Sequence, residues 1–153
     1  MATWNSNLII AGGGQANPSV MPGTARPVQG SIVIPASAQI ALNDTFPLFY
    51  IGAGSAAHIF SYWFDSPALD SGATLTMSFL DSTTPTPTTF FSAVTGFRAG
   101  AVITSVTAAR ASMGSAVNYV APNLLFLRAA AGAGANVGGT AVVVYFGFEI
   151  NRD

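Results

Sequence analysis

An alternating run of apolar side chains is the feature that most limits what this chain can fold into. Val142, Val144, Phe146, Phe148 and Ile150 occupy every second position, so all five lie on one face of an extended strand. A helix would spread the same residues around its axis, because its period is 3.6 residues. We therefore expect a β-strand over residues 142–150 with one face packed against a core.

Six further runs have the composition of short strands. They are rich in β-branched, aliphatic or aromatic residues and lie at 31–35, 46–51, 59–64, 74–79, 102–107 and 123–128. In the fourth run Leu75, Met77 and Phe79 are expected to point inward. Turns containing glycine or proline separate the runs, although residues 90–100 and 108–116 also fit a helical turn. The pattern predicts an all-β chain folded as an antiparallel β-sandwich or jelly roll.

The first 29 residues differ from the rest of the chain. Glycine and proline recur in them with almost no apolar periodicity, so residues 1–29 are expected to form an extended arm before a sandwich domain at 30–153. Four apolar residues are expected to anchor this arm to a neighbouring subunit: Trp4, Leu8, Ile9 and Ile10. A disordered leader is the alternative for a segment of this composition.

Charged residues are scarce. Five arginines, six acidic residues and no lysine make 7% of the chain charged, compared with about 25% in an ordinary soluble domain. Large uncharged areas must then be exposed, and such areas usually mark contact sites. The arginines are scattered and the net charge is −1, so no surface for nucleic acid is expected. Because Asp65, Asp70 and Asp81 mark turns, we expect loops to face water, and sheet faces and the arm to face other protein.

No motif in the sequence supports a catalytic or cofactor site. The chain has no cysteine, which excludes disulfides, zinc–thiolate sites and a thiol nucleophile. The Gly-Ala-Gly segment at 52–54 is similar to the start of a dinucleotide-binding loop, but a strand-like run follows it where that loop needs a helix. His58 is the single histidine, and the serines near it lack the Gly-x-Ser-x-Gly pattern of a nucleophile. We therefore expect no enzyme, no cofactor and no catalytic residue.

A metal site and a membrane span have equally little support. Asp65, Asp70 and Asp81 are spaced too widely for the dense acidic loop that calcium prefers. Asp70 is instead expected to accept hydrogen bonds from amides of its own turn. The uncharged stretch between Arg128 and Glu149 is long enough to span a bilayer, but glycines crowd its first half. We expect no bound metal and no membrane segment.

Four segments in a fixed order carry a resemblance to a known family. An apolar strand at 31–35 is followed by a Leu-Asp-Ser-Gly turn at 69–72 and a threonine-alternating strand. An alanine- and glycine-rich middle at 90–111 comes next, and a Gly-Gly-Thr turn at 138–140 leads into the last valine- and aromatic-rich strand. In these features the chain after the arm resembles the head decoration, or cement, proteins of tailed bacteriophages. It has fewer charges and a longer proline- and glycine-rich leader than is typical of them.

This resemblance implies a jelly-roll-like sandwich that binds the outside of the phage head at junctions of major capsid subunits and stabilises the shell. The implied partners are the major capsid protein and further copies of the same chain, often as a homotrimer. The implied location is the outer capsid surface of the virion, with assembly in the host cytoplasm. Trp4, Leu8, Ile9 and Ile10 would then contact a neighbouring subunit or the capsid.

Two other functions are open from the sequence alone. Another virion subunit, such as a small jelly-roll capsid protein or a fibre or tail module, would share the low charge and the strand pattern. A lectin-like carbohydrate-binding module belongs to a different class and would use an exposed aromatic ring. Tyr62 and Trp63 point to opposite faces of one strand, so at most one of them faces solvent. Trp63 is the residue whose replacement would test that alternative.

Overall fold

Strands make up the regular structure of this chain. The computed structural model describes residues 1–10, 14–15, 26–51, 55–82, 85–104, 117–119 and 123–152. Within those ranges it has eleven strands and no helix. In chain order they are β1 Ile9–Ile10, β2 Gly14–Gln15, β3 Arg26–Ile34, β4 Thr45–Ile51, β5 Ser55–Ser66, β6 Thr76–Asp81, β7 Thr89–Val94, β8 Ala101–Thr104, β9 Val117–Tyr119, β10 Asn123–Ala131 and β11 Val142–Arg152.

Two antiparallel sheets form the body of the protein. The first sheet has the order β4-β10-β6-β7, and the second has the order β3-β11-β5-β8, with β9 pairing to β5. Eight strands remain when β9 and the β1–β2 hairpin are left out. Numbered 1 to 8 in chain order, these strands have the order 2-7-4-5 in the first sheet and 1-8-3-6 in the second. The antiparallel β-sandwich expected from the sequence is thus confirmed.

The core lies between the inner faces of the two sheets. Val144, Phe146 and Phe148 on β11 are buried, as are Met77 and Phe79 on β6, so the alternation seen in the sequence marks the inner faces. Other buried members of this core are Ile32, Phe46, Leu48, Tyr62, Phe64, Leu125 and Leu127. The ring of Phe79 stacks on that of Phe148 with centroids 5.5 Å apart. Because Phe79 belongs to the first sheet and Phe148 to the second, this pair fixes one sheet against the other.

Three loops meet at one end of the sandwich, which we name the loop end. They are the β3–β4, β5–β6 and β10–β11 loops. The amide of Ala133 donates to the carbonyl oxygen of Ile40 at 2.7 Å and so joins the third loop to the first. The hydroxyl of Thr74 donates to the carbonyl oxygen of Gly132 at 2.9 Å and joins the second loop to the third. Hydrogen bonds between loops therefore give this end a defined shape.

Some strands differ from their expected limits. β3 begins at Arg26, inside the segment assigned to the arm, because its first residues pair with β11 as far as Ile150. Residues 89–94 form a strand in the first part of the region that also fitted a helical turn, and a turn follows at 96–99. The second ambiguous segment, 108–116, lies outside the described residues.

Candidate interaction surfaces

Of the four acidic residues whose burial the structure describes, three are buried and only Asp65 is exposed. Asp44, Asp70 and Asp81 have exposed fractions of only 1%, 3% and 0%. The turns after Asp70 and Asp81 do face water, since residues 71–74 and 85–87 are exposed, but the aspartates that mark these turns are themselves turned inward. Main-chain amides take the place of water: that of Ala41 donates to Asp44 Oδ2 at 2.8 Å, and that of Thr88 donates to Asp81 Oδ1 at 2.7 Å. The surface is therefore even poorer in charge than the composition indicates.

Asp70 fastens the β5–β6 loop to the β10–β11 loop. Its Oδ2 accepts from the amides of Thr74 and Leu75, both at 2.8 Å. Its Oδ1 accepts from the amides of Gly72 at 2.8 Å and Ala135 at 3.1 Å. Burial alone would raise the pKa of this carboxyl, but the main-chain hydrogen bonds, that of Leu75 foremost, hold the pKa well below its usual range. The expected bonding within the turn is confirmed, and the bond to the distant loop is a feature that the sequence did not reveal.

The outer face of the second sheet carries the indole of Trp63. Trp63 lies directly opposite Gly147 on β11. A Cβ atom built on Gly147 would approach Trp63 Cε2 to 2.6 Å, so the ring lies across the space that a side chain would fill. Tyr62, the preceding residue, is buried in the core. The opposite orientations predicted for Tyr62 and Trp63 are thus confirmed, and Trp63 is the residue turned outward.

A row of opposed residues crosses this same outer face. The row takes one residue from each of four neighbouring strands: Ser31 on β3, Tyr145 on β11, Asp65 on β5 and Val102 on β8. Tyr145 is 52% exposed and Val102 67%, and Val33 on the same face of β3 is 56% exposed. We name as the outer-face patch the residues Val33, Trp63, Asp65, Val102 and Tyr145. Apolar side chains that are grouped and this exposed are a mark of contact surfaces.

The segment before β1 bridges the edges of the two sheets. The amide of Trp4 donates to the carbonyl oxygen of Thr45 on β4 at 3.0 Å. A few residues later, the amide of Asn7 donates to the carbonyl oxygen of Ser31 on β3 at 2.9 Å. Since β4 and β3 are the edge strands of the first and second sheets, residues 3–7 cover part of both edges.

The four residues expected to anchor the arm are divided between the core and a hairpin. Trp4 stacks on Phe46 with ring centroids 4.9 Å apart, and Leu8 also packs against the core. Ile9 and Ile10 form β1, which pairs with β2 and lies near β4. Trp4 and Leu8 are only partly buried, so each leaves some of its side chain open to a neighbour while the segment lies on its own core. That the four residues contact a neighbour stays a prediction.

The structure also locates some of the residues that were considered as candidates for chemistry. Among the described residues, no group of three or more histidine, cysteine, aspartate or glutamate side chains is placed to hold a metal ion. The backbone of His58 pairs with that of Asn151 in the second sheet, and the Gly-Ala-Gly segment at 52–54 lies outside the described residues. No helix in the described ranges is long and apolar enough to cross a membrane. What the described side chains do assemble is the outer-face patch.

Comparison with known proteins finds similarity in structure but not in sequence families. No protein-family model and no curated protein matches this chain. It is similar to a chain in the capsid of Ralstonia phage GP4, with a TM-score of 0.68 and 18% identity over 98% of both chains. It is also similar to a chain in the capsid asymmetric unit of cyanophage Pam1, with a TM-score of 0.53 and 15% identity over 94% of this chain and 98% of that one. At these identities the likeness establishes a shared fold.

Proposed function

We propose that this protein is a structural component of a phage particle. More specifically, we propose that it is a decoration protein, which binds the outside of the head at junctions between major capsid subunits and stabilises the shell. The observation that carries the proposal is the likeness, over nearly the whole chain, to chains from two phage capsids. Both matches cover 98% of the capsid chain, so a single sandwich of this size occurs in those particles. The strand order 2-7-4-5 and 1-8-3-6 supports the jelly-roll interpretation.

The chemistry of the surface supports a role in contact rather than catalysis. Docking removes water from surface groups, and an unpaired charge that loses its water destabilises the complex by several kcal/mol. A chain with few charged residues, of which Asp44, Asp70 and Asp81 are buried, has few charges to desolvate. The outer-face patch would therefore lie against other protein with the carboxylate of Asp65 as its single charge to be desolvated. In this role the chain performs no catalysis and needs no cofactor.

We further propose that the protein acts as a homotrimer, with residues of the arm in contact with a neighbour. Several weak contacts in one oligomer reinforce each other through effective concentration. The structure constrains how Trp4 and Leu8 take part, because both pack on their own core. A neighbour contacts either the exposed part of these side chains where they lie, or the whole segment after exchange of the first eight residues between copies, in which each core receives the same segment from its neighbour.

Arm exchange can be tested with an engineered disulfide, since the chain has no cysteine of its own. Thr3 and Thr45 face each other with their hydroxyl oxygens 3.2 Å apart, so the double variant Thr3→Cys/Thr45→Cys is placed to form a disulfide. Exchange between copies predicts covalently linked chains on a non-reducing gel. A single-chain band that shifts only on reduction would show that the segment stays on its own core.

The decoration role is tested by adding the purified protein to heads of the same phage that lack it. We expect saturable binding in a fixed ratio to the major capsid protein, on the outer surface, with a rise in the temperature at which the shell opens. Cryo-electron microscopy would locate the bound density, and a scan of shell disruption would measure the stabilisation. Absence of binding, or binding without any change in shell stability, would contradict the proposal.

The two alternative functions predict different experimental results. If the purified chain assembles closed shells unaided, it is a capsid subunit, and if antibodies against it label the tail, it is a tail or fibre module. The outward orientation of Trp63 keeps a carbohydrate-binding module testable. Binding to a glycan array that Trp63→Ala abolishes, with no binding to heads, would favour that module.

A further inference from the structure

We propose that the outer-face patch is the surface through which this protein binds a different protein, and that the partner places an arginine or lysine opposite Asp65. This inference rests on the proposed function and deepens it by naming the docking face and the chemistry of what it meets. It is carried by the arrangement of Val33, Trp63, Asp65, Val102 and Tyr145 on the second sheet.

The patch is compact and has aromatic residues near its centre. Tyr145, Asp65 and Val102 lie directly opposite one another on three neighbouring strands, so Tyr145 and Val102 are about 10 Å apart. Trp63 lies two residues from Asp65 on the same face of β5, a step of about 7 Å. Tryptophan and tyrosine surrounded by smaller apolar residues form the usual energetic centre of a protein–protein interface.

Gly147 makes room for the main anchor of the patch. The ring of Trp63 occupies the position that a side chain at residue 147 would fill, and Gly147 itself is buried beneath it. A ring that already packs over β11 has less conformational freedom to lose on binding than a side chain that projects freely into water. The patch is therefore prepared for a partner, unlike a set of long, mobile side chains.

Asp65 decides what kind of partner fits. It is the one charged member of the patch and is exposed between Tyr145 and Val102. An apolar surface docked here would strip water from the carboxylate and leave it unpaired, which strongly opposes binding. A cationic side chain at the same place would instead form an ion pair that fixes the docking register.

A second copy bound face to face is a poor occupant. A two-fold contact places the same patch on both sides of the interface, so the two Asp65 carboxylates would come near each other. Like charges in that arrangement disfavour association. The patch thus fits a surface unlike itself, apolar over most of its area and carrying one arginine or lysine. We assign that surface to a different protein, and the oligomeric state of the variants distinguishes it from another face of this chain.

The inference is tested by measuring binding to heads that lack the protein. Asp65→Arg is expected to weaken binding about 30-fold or more, because it sets a cation against the partner's cation. Asp65→Asn, which keeps the shape and removes the charge, is expected to weaken binding less and to make it less sensitive to salt. Ser92→Arg is the matched control, since it adds the same side chain at an exposed position on the edge strand of the first sheet.

The oligomeric state of each variant is measured by sedimentation velocity, and its folding by circular dichroism. Unchanged oligomers together with lost binding for Asp65→Arg alone would support the inference. Equal binding by wild type, Asp65→Arg and Ser92→Arg would overturn it while leaving the decoration role intact. A changed oligomer in Asp65→Arg would overturn it too, because the patch would then join copies of this chain. Failure of the wild type to bind would remove both proposals.

Discussion

Replacing Asp70 with asparagine tests whether main-chain hydrogen bonds to a buried carboxylate hold the loop end together. Each carboxylate oxygen accepts from two amides, those of Thr74 and Leu75 on one side and of Gly72 and Ala135 on the other. An asparagine keeps one acceptor oxygen and turns an NH₂ group toward the other pair of donors. Two hydrogen bonds to a charged group are lost, each worth about 2 kcal/mol, so Asp70→Asn should destabilise the fold by about 4 kcal/mol. For a chain of this size that corresponds to a fall in Tm of about 12 °C.

Thermal and urea unfolding followed by circular dichroism would measure this change. Asp65→Asn is the control, because it makes the same substitution at an exposed carboxylate and should alter stability by less than about 0.5 kcal/mol. The pKa of Asp70 is lower in the folded state, so its stabilisation is complete above the unfolded pKa of about 4 and is lost as the pH falls further. Wild type should therefore lose stability below pH 4 more steeply than Asp70→Asn. Similar stabilities for the two asparagine variants at pH 7 would refute the reasoning.

Two further substitutions test the packing of the tryptophans. Gly147→Ala would drive a methyl group into the indole of Trp63, so it should lower the free energy of unfolding by about 2 kcal/mol and shift the tryptophan fluorescence. Gly139→Ala is the control, because its methyl group meets nothing within 4 Å, and it should leave the same urea titration unchanged. Trp4→Ala should destabilise by about 2 kcal/mol because it removes a partly buried ring from Phe46, and Trp4→Phe should retain most of that stability. Unfolding midpoints of Trp4→Ala equal to those of wild type would show that the segment does not rest on its own core.

The strands and their inward faces could be read from the sequence because side chains alternate between the two faces of a strand, although on β6 Ser78 and Leu80 on the opposite face are buried as well. Leu75, Met77 and Phe79 are buried as predicted, and so is Phe146 on β11. β7 was less visible, since Thr89–Val94 mixes exposed and half-buried positions along its length and gives no clean alternation. β1, β2 and β9 are two or three residues long, which is too short for any periodicity to appear.

The candidate surfaces were predicted less completely, because their members are brought together by pairings between distant strands. The sequence places Trp63 and Tyr62 on opposite faces but does not show which of them turns outward. That depends on Gly147, which lies opposite Trp63 from more than eighty residues away in the chain. The burial of Asp70 was hidden for the same reason, since its fourth amide partner, Ala135, belongs to another loop.

Low charge alone does not select a docking face on this protein. Of the eleven charged residues in the sequence three are buried aspartates, which leaves at most eight for a surface of 7297 Å², or about 900 Å² for each charge. A typical interface covers about 800 Å² of each partner, so an average face of this protein would carry about one charge. The outer-face patch carries one charged member, Asp65, and is no exception. What singles it out is exposed apolar area grouped around an indole that packs over Gly147. Apolar area and a packed aromatic ring favour binding directly, whereas a lack of charge only removes an obstacle.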